Sequence, residues 1–482
     1  MHLVLDAHGP LHAQLTRALK AAILDGQLSR GSRLPATRWL AGELGLSRNT
    51  VLAAYEQLRA EGFVDARVGS GSFVALSQPQ RQLRGVETDS VVPQSAYAHR
   101  ARLYNERMPG GHIPGMRYSF QYGVPFVNPA LTTAWAQALS RAARYTDPSY
   151  PPAQGLPSLR EAVCDYLARR RGVRVPASDV LIVAGTQQAL ALSARVLLDA
   201  GDAAAIEEPH YNAIRTALQV HGARLLPVPV DAQGLCCDLL PEREAPKLLC
   251  VTPSHQFPTG AVMSLSRRMA LLEYARRHRS WIFEDDYDGE FRYDARPLSA
   301  LRSLDEAGRV IYVGTFSKTL YPALRLGYLV VPPALREDFL VAKRMADFGT
   351  PAIEQAALAA FIAHGGFERH LRRSAKALCE RRAALLQGLR ACSAGRLEIA
   401  DSRAGMHLAV WLRGAGRDAG EALIAQAHAR GLGLYSIAPY YLKPPDRAGL
   451  LMGYAGLSSV EIRQALAVFE TCLDELVPVA SA

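Results

Sequence analysis

Val310-Ile311-Tyr312-Val313-Gly314-Thr315-Phe316-Ser317-Lys318 reads as a short apolar strand running into a polar loop that ends on a lysine. Four apolar residues in a row suit a strand covered on both faces, as in parallel sheets. Outward from it the same grammar recurs. Residues 180–184, 203–206, 247–251 and 281–283 are further apolar runs, separated by stretches of helical periodicity. Strand and helix in alternation predict an α/β domain on a mostly parallel sheet from about residue 118 onward. A smaller α+β lobe is expected from about residue 375, around the strand at 408–412.

A lysine alone carries no information, but open α/β sheets gather ligands at the carboxyl ends of their strands. Asp285 falls at such an end, in Glu284-Asp285-Asp286-Tyr287. Gly185-Thr186-Gln187 follows another strand and opens a helix, where backbone N–H groups and the helix dipole favour an anion. Thr315, Ser317 and Arg325 can hold the same anion from the other side. Tyr211, in Glu207-Glu208-Pro209-His210-Tyr211, offers a ring. Singly, these residues read as helix caps, packed aromatics and surface cations. Together they match what a lysine forming a Schiff base with pyridoxal 5'-phosphate requires. Lys318 would carry the cofactor, Thr186, Gln187, Thr315, Ser317 and Arg325 would cradle its phosphate, and Asp285 would pair with the pyridinium nitrogen. Tyr287 would reach the phenolic oxygen and Tyr211 would stack on the ring.

The first 76 residues follow another plan. Leu11, Leu15, Leu19, Ile23 and Leu24 recur at helical spacing up to Asp25-Gly26. A short helix is expected with its N-cap at Thr37, then a turn at Gly45-Leu46-Ser47. Ser47 is the natural cap of a third helix that Gly62 ends. Two short strands around Gly69-Ser70-Gly71 complete a winged helix-turn-helix. Arg48, Asn49 and Thr50 then lie where base edges are reached, beside Ser47. Arg38 is expected on phosphate, and Arg67 and Gly71 of the wing close to the DNA backbone.

Residues 77–117 are polar and punctuated by proline and glycine, which predicts a linker. The 482 residues carry a formal net charge of +10, compatible with a nucleic-acid partner. No apolar stretch is long enough to span a membrane, and the opening residues lack the basic and apolar regions of a secretion signal. The seven cysteines are an odd number without a C-x-x-C pair, so reduced thiols, no metal site and a cytoplasmic location are expected.

Residues 10–76 resemble the DNA-binding domain of GntR-family regulators. The matching words are Ile23-Leu24-Asp25-Gly26-Gln27-Leu28, Gly31-Ser32-Arg33-Leu34-Pro35-Ala36-Thr37-Arg38, Leu46-Ser47-Arg48-Asn49-Thr50-Val51 and Gly69-Ser70-Gly71-Ser72-Phe73-Val74. Residues 118–475 resemble fold-type I aminotransferases. The fusion of the two is similar to the MocR subfamily of GntR regulators, whose words include Ser254-His255-Gln256-Phe257-Pro258-Thr259-Gly260 and Asp286-Tyr287-Asp288-Gly289-Glu290. This resemblance implies a bacterial transcription regulator, domains at 1–76 and 118–482, a double-stranded operator with two half-sites, a small-molecule effector and a homodimer. It also implies that Tyr150, five residues before Gly155, reaches the phosphate bound by a neighbouring subunit.

Two positions depart from working aminotransferases. Phe257 stands where an asparagine usually meets the phenolic oxygen. Leu451 stands where an arginine clamps the substrate's α-carboxylate, and a leucine cannot replace a bidentate guanidinium. Three readings compete: a regulator sensing a small molecule, an aminotransferase with an accessory DNA-binding domain, and a DNA-binding protein on an inert scaffold. The Lys318, Asp285, Tyr287 and Arg325 set disfavours the scaffold. Leu451 disfavours the enzyme. The expectation is a regulator.

Overall fold

The computed structural model describes residues 3–67, 70–75, 94–105, 111–126, 129–293 and 298–476. The chain divides into two units, the second beginning at Gln94. In the first, α1 (Leu11–Leu24), α2 (Thr37–Leu44) and α3 (Arg48–Ala60) precede a hairpin of β1 (Val64–Arg67) and β2 (Gly71–Val74). Leu15, Leu19, Leu40, Val51, Leu58, Val64 and Val74 meet in one core, so the helical and strand periodicities converge on the same apolar centre. Ser47 caps α3 as expected, its Oγ accepting the Thr50 N–H at 3.1 Å. The start of α2 differs. Thr37 is already helical, Ala36 is the cap, and no side chain caps this end. Tyr55 donates its hydroxyl to the Pro35 carbonyl at 2.8 Å, tying the entry of α2 to α3. Of the expected wing tip, Val68 and Gly69 lie outside the described residues.

The second unit opens with α4 (Ala96–Asn105), then β3 (Tyr118–Ser119), α5 (Pro129–Tyr145) and α6 (Pro157–Arg170). β4 (Val180–Val183), α7 (Thr186–Leu197), β5 (Ala203–Glu208), α8 (Asn212–His221), β6 (Arg224–Asp231) and β7 (Gly234–Leu235) follow. Next come β8 (Leu248–Val251), α9 (Leu265–His278), β9 (Trp281–Asp286), β10 (Val310–Thr315) and β11 (Gly327–Val330). Eight strands form one sheet in the order β4-β11-β10-β9-β8-β5-β6-β7. Neighbours from β10 through β6 run parallel, and β11 is antiparallel to both of its neighbours. Every residue of β4, β8, β10 and β11 is buried, which accounts for the apolar runs at 180–183, 248–251, 310–313 and 328–330.

Beyond the sheet lie α10 (Arg336–Asp347), α11 (Ala352–Ala363) and the long α12 (Gly366–Ser393). The smaller lobe adds β12 (Leu397–Ala400), β13 (His407–Leu412), α13 (Arg417–Ala429), β14 (Leu432–Gly433), β15 (Gly449–Gly453) and α14 (Ser459–Leu476). Its antiparallel sheet runs β12-β13-β15. β14 pairs with β3, so residues 118–119 belong to this lobe as well. No helix among the described residues is long and apolar enough to cross a membrane.

The linker expected over 77–117 is interrupted. Residues 76–93 and 106–110 lie outside the described residues, but 96–105 form α4, held on α8 by Arg100. The guanidinium donates to the Val220 carbonyl at 2.9 Å and to the His221 carbonyl at 3.3 Å, two of the acceptors a helix end leaves unpaired. A helix whose own sequence has no strong apolar stripe is thus tied to α8 by a charge-assisted cap. Arg100→Ala should cost about 1–2 kcal/mol of that docking. Hydrogen exchange should then quicken in α4 while the central sheet keeps its protection.

Candidate functional site

The carboxyl ends of β4, β5, β9 and β10 bring nine of the predicted residues to one cavity of about 490 Å³. Lys318, Asp285, Tyr287, Tyr211, Thr186, Gln187, Thr315, Ser317 and Arg325 all line it. Each arrives for a local reason. β9 alternates its faces, so Asp285 turns to the cavity while Glu284 and Asp286 turn away. Glu284 accepts the Leu301 and Arg302 amides at 2.7 Å, and Asp286 meets Arg171. Gly185, at φ +81°, takes a left-handed turn between β4 and α7. It has no side chain to cap the first amides of α7, which leaves that helix end open to an anion. Arg325 is itself left-handed, at φ +50°, and donates to the Ala184 carbonyl at 3.0 Å beside that turn.

Electrostatics sharpen the arrangement. Burial, and then the neighbouring Asp286 and Asp288 charges, push the Asp285 carboxyl up to about 8. Its Oδ1 is buried without a hydrogen-bond partner. Lys318 donates to the Gly123 carbonyl at 2.6 Å, and burial lowers its ammonium from the usual lysine range. An open helix end with a cation beside it, a buried carboxylate oxygen awaiting a donor and a nearby amine form the donor set that pyridoxal phosphate fits.

In the cofactor-free chain, Asp285 keeps a proton that the unfolded chain releases near pH 4. Stability from this group is therefore present below pH 4 and is lost as pH rises toward 8, by at most about 1.4 kcal/mol per pH unit. Asp285→Asn should stabilise the cofactor-free protein increasingly from pH 5 to 8, yet weaken cofactor uptake. Melting temperatures of both forms across that range check the opposed signs.

Several lining residues escaped the sequence reading. Tyr122 and Gly123 come from the segment after β3, and Met406 and His407 from the smaller lobe. His255 lies behind Tyr287, whose hydroxyl is 2.9 Å from its Nδ1, with Asp288 also at 2.9 Å. The word Ser254-His255-Gln256 carried that histidine in plain sight, but a lone histidine gave no signal of its role. Phe257 lines the cavity, its ring edge-on to Tyr211 at 5.5 Å. Tyr150 is not in the cavity. It is 88% exposed and packs against Phe348, ring centres 6.0 Å apart.

In the first unit, Arg38 lies near the start of α2, and Ser47, Arg48 and Asn49 are exposed at the start of α3. Ser47 and Thr50 bond one another, hydroxyl to hydroxyl at 2.8 Å, so their first task is capping. Arg67 stacks over the Phe73 ring at 4.8 Å, and Gly71, at φ +107°, leaves room for Arg33.

Comparison with known proteins follows the same division. Residues 11–74 match the family described as bacterial regulatory proteins, gntR family, and residues 125–468 match aminotransferase class I and II. The probable rhizopine catabolism regulatory protein MocR of Rhizobium meliloti is 37% identical over 464 residues, 96% of this chain and 93% of that protein. The chain belongs to the MocR type of GntR-family regulators. The pyridoxine biosynthesis regulator PdxR of Corynebacterium glutamicum, of the same type, is 30% identical over 96% of this chain and 97% of its own length. Among solved structures, the α-aminoadipate aminotransferase LysN of Thermus thermophilus superposes with a TM-score of 0.71 at 29% identity. That match covers 80% of this chain and 98% of LysN, which was solved with N-(5'-phosphopyridoxyl)-L-leucine. The MocR-type chain is thus a helix-turn-helix transcription regulator with a fold-type I aminotransferase-like domain, a class that implies pyridoxal phosphate.

Proposed function

We propose that a small molecule arriving beside Lys318 changes how tightly this regulator holds its operator. The observation that carries the reading is the buried, unpartnered Asp285 oxygen facing the same cavity as Lys318. A mere scaffold gains nothing from desolvating a carboxyl group with no ligand to compensate it. Pyridoxal phosphate, when bound, supplies an aldehyde that takes up amines. Thr186, Gln187, Thr315, Ser317 and Arg325 would hold its phosphate, Asp285 would keep a proton at its ring nitrogen, Tyr287 would meet its phenolic oxygen and Tyr211 would stack on the ring.

The cofactor-binding unit on this reading is a cytoplasmic homodimer. Tyr150 and Phe348 are 88% and 63% exposed, and Tyr145 and Met345 are exposed as well. Such a surface suits cover by a second copy, whose phosphate Tyr150 would complete. Two copies of residues 1–76 then call for an operator with two half-sites, read by Arg48, Asn49 and Thr50 and gripped through Arg38, Arg67 and the backbone at Gly71. A ligand acts by favouring one arrangement of the paired DNA-binding units over another, without turnover.

Operator affinity measured with and without pyridoxal phosphate tests this directly. It should change on loading the cofactor or on adding a ligand, and fall steeply with salt as counterions are released. Arg48→Ala should weaken it by about 1–3 kcal/mol. Affinity indifferent to cofactor and to every ligand tried would remove the sensing role. Multiple turnovers of a common α-amino acid at about 1 per second or faster would instead make the chain an enzyme.

A further inference from the structure

We infer that the ligand sensed beside Lys318 is an amine without a carboxylate next to its amino group. This rests on the regulatory reading above and narrows it to a ligand class. The geometry is that of the cavity wall opposite the phosphate cradle. Tyr122, Phe257, Met406 and His407 line it. Behind them, Phe257 packs with Ala409, Ile437, Tyr440 and Leu451 in one apolar cluster. Leu451 is fully buried and stands opposite Ala409 in the pairing of β13 with β15, so the layer behind the wall holds hydrocarbon where an arginine would stand, and the polar groups of the wall are the Tyr122 hydroxyl and the His407 ring.

A carboxylate entering here would need a cation. Among the described residues lining the cavity, the cationic side chains are Lys318 and Arg325. Arg325 is engaged at the other end, bonded to the Ala184 carbonyl beside Gly185. His407 is buried near the Pro258 carbonyl, and burial together with His255 holds it neutral. An anion placed against Phe257 would lose its water and gain no cationic partner, with the Tyr122 hydroxyl, already bonded to that of Tyr440, as the nearest donor. A neutral amine body avoids that cost, and ring faces offset part of it for a cationic one. It meets aromatic faces, since Tyr122, Phe257 and Tyr440 stand edge to face or tilted with ring centres 5.0–6.1 Å apart. Such walls favour apolar groups and tolerate cations.

Matched pairs separate the two classes. The full chain loaded with pyridoxal phosphate is titrated with phenylethylamine against phenylalanine, tyramine against tyrosine and agmatine against arginine, following the cofactor's visible absorption. For at least one pair the amine should reach half-maximal change at a concentration about 100-fold lower than its amino acid, as expected when one partner of a buried charge pair is missing. The same amine should shift operator affinity. Leu451→Arg should narrow or reverse the preference, and the wild-type titrations stand without it should that variant fail to fold. Amino acids acting as well as their amines, or no response to any pair, would overturn this inference and leave the regulatory reading intact. A chain that takes up no pyridoxal phosphate would overturn both.

Discussion

Lys318→Ala should abolish covalent attachment of the cofactor altogether while leaving the fold in place. The wild-type chain loaded with pyridoxal phosphate should absorb in the visible, and borohydride should fix the group onto Lys318, readable as a mass increase on one peptide. In the variant no such peptide should form. The cause is local. Lys318 is the lysine that lines the cavity, and its Nζ is aimed there by the bond to the Gly123 carbonyl at 2.6 Å. Gly123 sits at φ +75°, and a Cβ at that position would come within 3.2 Å of the amine, so a side chain there would crowd it. The stability change should stay within about 1 kcal/mol, because the lost amine packs no core. Thr186, Gln187 and Arg325, the residues proposed to hold the phosphate, are untouched, so the variant should still hold the cofactor reversibly. Attachment to any other lysine in the variant would refute the assignment of Lys318.

Much of this is legible in the sequence, for reasons that differ between residues. The strand at 310–313 announced itself because a run buried on both faces is apolar throughout. Asp285 and Thr186 were legible because α/β topology brings the residues at the carboxyl ends of such strands to one edge. Ser47 and Gly62 were legible because helix ends have chemical requirements a short word can meet. α4 was not. Its sequence has no pronounced apolar stripe, and what holds it is a guanidinium on carbonyls more than a hundred positions away. Tyr122, Met406 and His407 were hidden for a similar reason, since their place depends on how the smaller lobe meets the large sheet. Arg171 was hidden most completely. As the residue closing α6 among other arginines, it reads as a surface cation.

Arg171→Leu should destabilise the second unit by about 3–5 kcal/mol, the range for breaking a buried ion pair from one side. The side chain is only 1% exposed. Its Nη2 lies 2.5 Å from Asp286 Oδ2 and donates to Ser254 Oγ at 2.7 Å, and Nη1 donates to the Gly289 carbonyl at 3.3 Å. Asp286 also accepts the Tyr312 hydroxyl at 2.5 Å, and half-buried Glu290 accepts that of Tyr166 at 2.7 Å. Leucine fills part of the volume but leaves the Asp286 charge without its cation. Adding Asp286→Asn should recover part of the loss, since the charge is then gone along with its partner. Arg171→Lys should fall between, keeping a cation but losing the planar fork that serves Asp286, Ser254 and Gly289 at once. The consequence reaches the cavity because Asp285 is the next residue on β9, and Asp286 is among the charges that keep its carboxyl protonated. Urea denaturation of the four proteins, with cofactor uptake measured on each, decides the matter. A loss below about 1 kcal/mol in Arg171→Leu would mean that water, not the guanidinium, compensates Asp286.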